Sequence, residues 1–122
     1  RLFVIDFEGE PSRSLQERCA QKSVLKDVAG MCRSFDYLLR SVSKQAGHAY
    51  SPQDLIFLEQ CFLSGYREIA IGQPWWPSDP QEVASLLAIY KLDKALYELA
   101  YELHNRPEWI DVPLAAIESL GA

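Results

Sequence analysis

The stretch from Asp79 to Pro107 constrains this chain more than any other. It opens with "DPQE", in which Asp79 can cap a helix, Pro80 takes the first helical position and Glu82 completes a capping-box pattern. It closes with "NRP" at Asn105 to Pro107, so the sequence predicts one uninterrupted helix of about 25 residues. A helix of that length needs partners along its whole side, and two stripes compete for them. Leu86, Ile89, Leu92, Leu96, Leu99 and Leu103 form an aliphatic stripe, which is expected to face the core. Tyr90, Lys94, Tyr97, Tyr101 and Asn105 form an aromatic and polar one, with Arg106 and Trp109 just beyond its end.

Two further helices are expected. Val24, Val28, Met31, Phe35, Leu38 and Val42 recur at three or four residues behind Ser23, a plausible N-cap. "SPQD" announces the next, with Ser51 capping, Pro52 at the first position and Asp54 at the positive end of the dipole. Its stripe is Leu55, Leu58, Phe62, Tyr66 and Ile69, ended by Gly72 and Pro74. The turn-rich "QPWWPSDP" presents Trp75 and Trp76, and a short last helix runs from about Val112 to Ser119. Between the N-terminal strand-like run and Lys22 the periodicity is poor. The expected fold is mainly α: a helical bundle with a short N-terminal β element, forming one domain over residues 1–122.

Bulk properties narrow the function. A net charge of -5, with no basic cluster, argues against a nucleic-acid backbone or an anionic membrane as partner. Cys19, Cys32 and Cys61 show no CxxC spacing and no His companions, so reduced thiols in a cytoplasmic protein are the expectation. No apolar run approaches the roughly 20 residues of a membrane span.

The first block of note is "FVIDFEGEP", Phe3 to Pro11. Along an extended strand Phe3, Ile5 and Phe7 point one way, and Val4, Asp6, Glu8 and Glu10 the other. Carboxylates lining one face need water to screen them or a hard divalent cation such as Mg²⁺ among them; spacing alone leaves both open. The aromatic stripe is open in the same way. Tyrosines pack half-buried helix faces with their hydroxyls wet, yet rings beside Glu98, Arg106 and Lys94 also suit a sugar, whose C–H faces they would cover while polar groups bond its hydroxyls. His48 and His104 lack a nucleophile or ligand companion, and Asp36 can pair with Arg40 or Arg33 along its own helix. No catalytic triad, Gly-rich phosphate loop or dinucleotide fingerprint appears.

Together, "FVIDFEGEP", "LKDVAGMCRSFDYLLR" and "LDKALYELAYELHNRPEWIDVPL" resemble the C-terminal lobe of bacterial maltokinases. These enzymes belong to the aminoglycoside-phosphotransferase-like branch of the protein-kinase superfold and often occur fused to trehalose synthase. The resemblance spans about Phe3 to Leu114. It implies that Asp6 holds Mg²⁺ bridging the phosphates of ATP, that Glu8 and Glu10 serve metal-bound water or substrate hydroxyls, and that Asp27 is the family's buried Asp, which braces the catalytic loop through backbone hydrogen bonds. It further implies that Tyr97, Tyr101, Arg106 and Trp109 belong to the maltose pocket.

The family's catalytic base is an Asp in an HGD-type loop, which these 122 residues do not contain, and its nucleotide-binding lobe precedes that loop. The chain by itself is therefore expected to be inactive. Its parent protein is expected to transfer the γ-phosphoryl of ATP to the anomeric hydroxyl of maltose, giving maltose 1-phosphate for α-glucan synthesis. The alternatives are a phosphotransferase of the same superfold acting on an aminoglycoside, choline or another sugar, and a non-catalytic helical module of a trehalose synthase fusion. A lobe lacking its other half is also expected to self-associate through exposed apolar surface.

Overall fold

The computed structural model describes residues 23–121. The expected N-terminal β element and the acids Asp6, Glu8 and Glu10 lie outside the described residues. Four α-helices follow one another: α1 (Leu25–Ala46), α2 (Pro52–Ala70), α3 (Pro80–Asn105) and α4 (Asp111–Gly121), with a 3-10 turn at Pro107–Trp109 before the last. No strand occurs among the described residues.

The helix boundaries follow from local chemistry. Ser51 Oγ accepts from the Asp54 amide at 3.4 Å and Asp79 Oδ1 from Gln81 at 2.9 Å; at α1 the cap position falls on Val24 instead of the expected Ser23, whose Oγ accepts from the Leu25 amide at 3.2 Å. Each thereby satisfies an amide that the first turn of its helix leaves without a carbonyl. α1 ends at Gly47, whose φ of 71° puts it in the left-handed region while its amide reaches Ser43 O. Gly72, with φ 84°, follows α2 in the same conformation.

α1 and α3 run side by side in the same direction. Arg33 meets Glu98 and Tyr37 meets Glu102, so four residues along one helix match four along the other. α2 packs on α1, and α4 packs on both α3 and α1. The main core joins Leu25, Val28, Ala29 and Cys32 of α1 to Ala70, Trp76, Val83 and Leu87, with Phe62, Leu63 and Tyr66 of α2 against it. The rings form a chain: Phe35 to Phe62 at 5.9 Å, Phe62 to Tyr66 at 5.9 Å, and Tyr66 to Trp76 at 5.7 Å between centroids. Trp76 is buried and Trp75 is exposed.

Two helices bury a different face from the one their aliphatic residues predict. On α1 the buried set is Leu25, Val28, Ala29, Cys32, Arg33 and Asp36, while Met31, Leu38 and Val42 are exposed. On α3 the buried set is Val83, Leu87, Ala95 and Glu102, and Ile89, Leu92, Leu96 and Leu103 of the aliphatic stripe are exposed, Ile89 at 61%. The cause is shared. Ala95 offers a small surface for close approach, and the buried charged residues are all partnered. Arg33 pairs with Glu98 and Glu102 with Tyr37 across the α1–α3 seam, Asp36 with Arg33, Arg40 and Tyr50, and Glu102 with Arg106 of its own helix end, which removes the desolvation objection to burying them. The α2 stripe holds from Leu55 to Tyr66, all partly buried, but Ile69 is exposed and its neighbour Ala70 takes the core position.

Candidate functional site

The lower half of the α1–α3 seam is built from ion pairs. Arg33 lies between two carboxylates, donating Nε and Nη2 to Glu98 at 3.2 and 2.7 Å and Nη1 to Asp36. Asp36 also accepts Arg40 Nε at 3.0 Å and the Tyr50 hydroxyl at 2.7 Å. The Arg40 guanidinium lies 4.0 Å from the centre of the Tyr50 ring. A turn further along, Glu102 accepts the Tyr37 hydroxyl and both Nε (3.1 Å) and Nη2 (2.8 Å) of Arg106.

These contacts set protonation. Burial alone would raise the Asp36 carboxyl, but hydrogen bonds from Arg33 and Tyr50 and the charges of Arg33 and Arg40 outweigh it and hold Asp36 below the usual carboxylate range. Glu98 goes the other way: burial pushes it up against the pull of Arg33. The Tyr50 phenol is pushed up to about 12, by burial first and then by its bond to Asp36. Tyr37 is raised further, by burial and by Glu102. Both tyrosines are therefore neutral donors at neutral pH.

Above this network a cavity of about 270 Å³ opens between α1 and α3. Tyr97, Tyr101 and Arg106, expected from the sequence to share a pocket, all line it. Tyr37, Lys94, Glu98 and Glu102 complete the wall. The Lys94 ammonium lies 4.9 Å from the centre of the Tyr97 ring. Trp109 does not line the cavity. It sits in the 3-10 turn with Arg106 at 5.0 Å and Lys44 at 5.5 Å from its ring centre, and so backs the arginine from outside. Lys44 is in turn fixed by Asp111 and the Glu108 carbonyl, both at 2.9 Å.

Tyr37 and Glu102 escaped the sequence reading. A signal for them exists in Arg33 and Tyr37 four apart on one helix and Glu98 and Glu102 four apart on another, two complementary pairs at matching spacing. Asp27, expected from the resemblance to be buried, is instead exposed in the first turn of α1, where an acid suits the positive end of the helix dipole. Among the described residues no group of three or more His, Cys, Asp or Glu is placed to hold a metal ion, and no helix is long and apolar enough to cross a membrane. Compared with known protein families, the chain matches none.

Proposed function

We propose that this chain is the C-terminal part of a kinase-like sugar phosphotransferase whose acceptor is maltose, and that the cavity between α1 and α3 holds the acceptor. The observation that carries the reading is the meeting of Tyr97, Tyr101 and Arg106 on one cavity of about 270 Å³. Ring faces there would cover sugar C–H surface, and the Arg106 guanidinium, held by Glu102, would present fixed donors to hydroxyls. Mg²⁺ and ATP, assigned to Asp6 with Glu8 and Glu10 in support, would supply the phosphoryl group and neutralise its charge. On this reading the base would come from an HGD-type loop, a motif these 122 residues do not contain, and the 122-residue chain by itself should not phosphorylate maltose.

The test uses the parent protein. Asp6→Asn should cut turnover far more than it changes maltose affinity, because an anchoring charge is lost while the acceptor cavity is untouched. Unchanged turnover would reject the metal role, and equal turnover of maltose, aminoglycosides and choline would reject maltose as the acceptor. A second reading, a helical module that associates with another surface, is favoured by the exposed aliphatic side of α3, Ile89, Leu92, Leu96 and Leu103. Sedimentation of the chain over a concentration series decides it: a monomer throughout would count against self-association.

A further inference from the structure

We propose that the groove where α2 turns into its connector to α3 docks a short acidic and apolar peptide segment of a partner protein, with Arg67 taking the segment's carboxylate. Two adjoining cavities of about 390 and 340 Å³ form the groove, and Arg67 and Ile71 line both. None of their lining residues belongs to the acceptor cavity, so this surface stands apart from the sugar reading. The groove follows from how α2 ends. Ala70 takes the core position, the Ile71 amide bonds Arg67 O at 3.0 Å, and Gly72 turns the chain at φ 84°. Ile71 is left exposed beside an apolar wall of Trp76, Pro77, Pro80 and Val83. Ile69 and Trp75 are exposed on the same stretch of chain, and apolar side chains gathered in this way mark a contact surface.

Charge decides what fits there. Arg33, Arg40, Lys44, Lys91 and Arg106 are each held by a carboxylate, whereas the exposed Arg67 guanidinium has no ion pair or hydrogen bond among the described residues. Its place in the last turn of α2 suits the helix dipole, yet that leaves its five N–H donors unspent. Arg67 is also the one charged side chain among the described residues that line the connector cavity. Glu68 lines only the outer cavity, and Asp79 turns its carboxylate to the Gln81 amide at 2.9 Å. A carboxylate seated in the groove gains a planar, bidentate partner, while apolar neighbours on the same segment cover Ile71 and the Trp76 wall. Gln60, Ser64, Gln73 and Ser78 along the two cavities offer hydrogen-bonding groups to a peptide backbone.

Nuclear magnetic resonance titration of the 122-residue chain with the peptide acetyl-SLELES-amide and with its neutral counterpart acetyl-SLQLQS-amide tests the idea. The acidic peptide should saturably shift the amides of Arg67, Ile71 and Gly72 and the indole N–H of Trp76. It should bind about fivefold tighter than the neutral one, the upper worth of a partly screened ion pair. Arg67→Gln should erase that preference and Arg67→Lys should keep most of it, whereas Ile71→Ser should weaken both peptides alike. Equal binding of the two peptides, saturable shifts confined to other residues, or no shift at all would overturn the proposal. If the same signals move with chain concentration in the absence of peptide, the occupant is a second copy and the partner peptide is rejected.

Discussion

Replacing Arg33 with methionine is the most revealing perturbation of the seam. The Met side chain fills most of the arginine's volume, so the change is chiefly one of charge and hydrogen bonding. Glu98 loses both of its Arg33 contacts, at 3.2 and 2.7 Å. Asp36 loses one donor but keeps Arg40 and Tyr50, at 3.0 and 2.7 Å. Breaking a buried ion pair by removing one partner costs about 3–5 kcal/mol. The Glu98 side chain is 13% exposed, so water can partly replace Arg33, which puts the cost near the lower end, about 3 kcal/mol. For a chain with total stability of about 5–15 kcal/mol that is a large share. With a urea m-value of about 1–3 kcal/mol/M, the midpoint followed by circular dichroism should fall by about 1–3 M. The double variant Arg33→Met/Glu98→Met removes the stranded charge and should recover most of the loss. A single variant as stable as the wild type, or a double variant no better than the single, would refute the reasoning.

Other outcomes follow from the same contacts. Asp36 is held below its usual range when folded, so the stability it contributes is present above about pH 4 and is lost as pH falls through the folded value. The advantage of the wild type over Asp36→Asn in urea melts should therefore narrow below about pH 4; a constant gap down to acid unfolding would contradict the pairing. Trp76→Ala should cost about 3–5 kcal/mol, because the ring is buried against Tyr66. Trp75→Ala should cost under about 0.5 kcal/mol, since that ring is exposed, and similar thermal shifts for the two variants would sink the distinction. Leu96→Glu, at a half-exposed position, should leave the melt nearly unchanged, whereas Ala95→Glu places a charge at a fully buried one and should unfold the chain. The reverse ranking would mean that α3 buries its aliphatic stripe after all.

Much of the helical layout was legible because capping and turn chemistry are local. Ser51, Asp79 and Gly72 mark in the sequence the boundaries they set in the structure. The face that each helix buries was less legible. For α2 the stripe from Leu55 to Tyr66 is also the packed side, with Phe62 and Tyr66 against the core and the one partly buried acid, Glu59, paired with Lys91 beside it. For α1 and α3, hydropathy alone favours Leu38 or Leu96 over Arg33 or Glu102, and pairing reverses that order, with Glu98 across the seam for Arg33 and with Tyr37 across it and Arg106 on its own helix end for Glu102. Half of the candidate site shared this fate. Tyr97 and Tyr101 lie one turn apart, with Arg106 at the end of the same helix, so one helix suffices to bring them together. Tyr37 joins them only once α1 is laid along α3 in the register that matches residues 65 apart, and Trp109 is turned out of the cavity by the 3-10 turn that Pro107 begins.

A crystal structure of the parent protein grown with saturating maltose tests the acceptor assignment most directly. The sugar should be seated between α1 and α3, its C–H faces on Tyr97 and Tyr101 and a hydroxyl bonded to Arg106. Maltose bound at another face, with that cavity holding only water, would contradict the assignment.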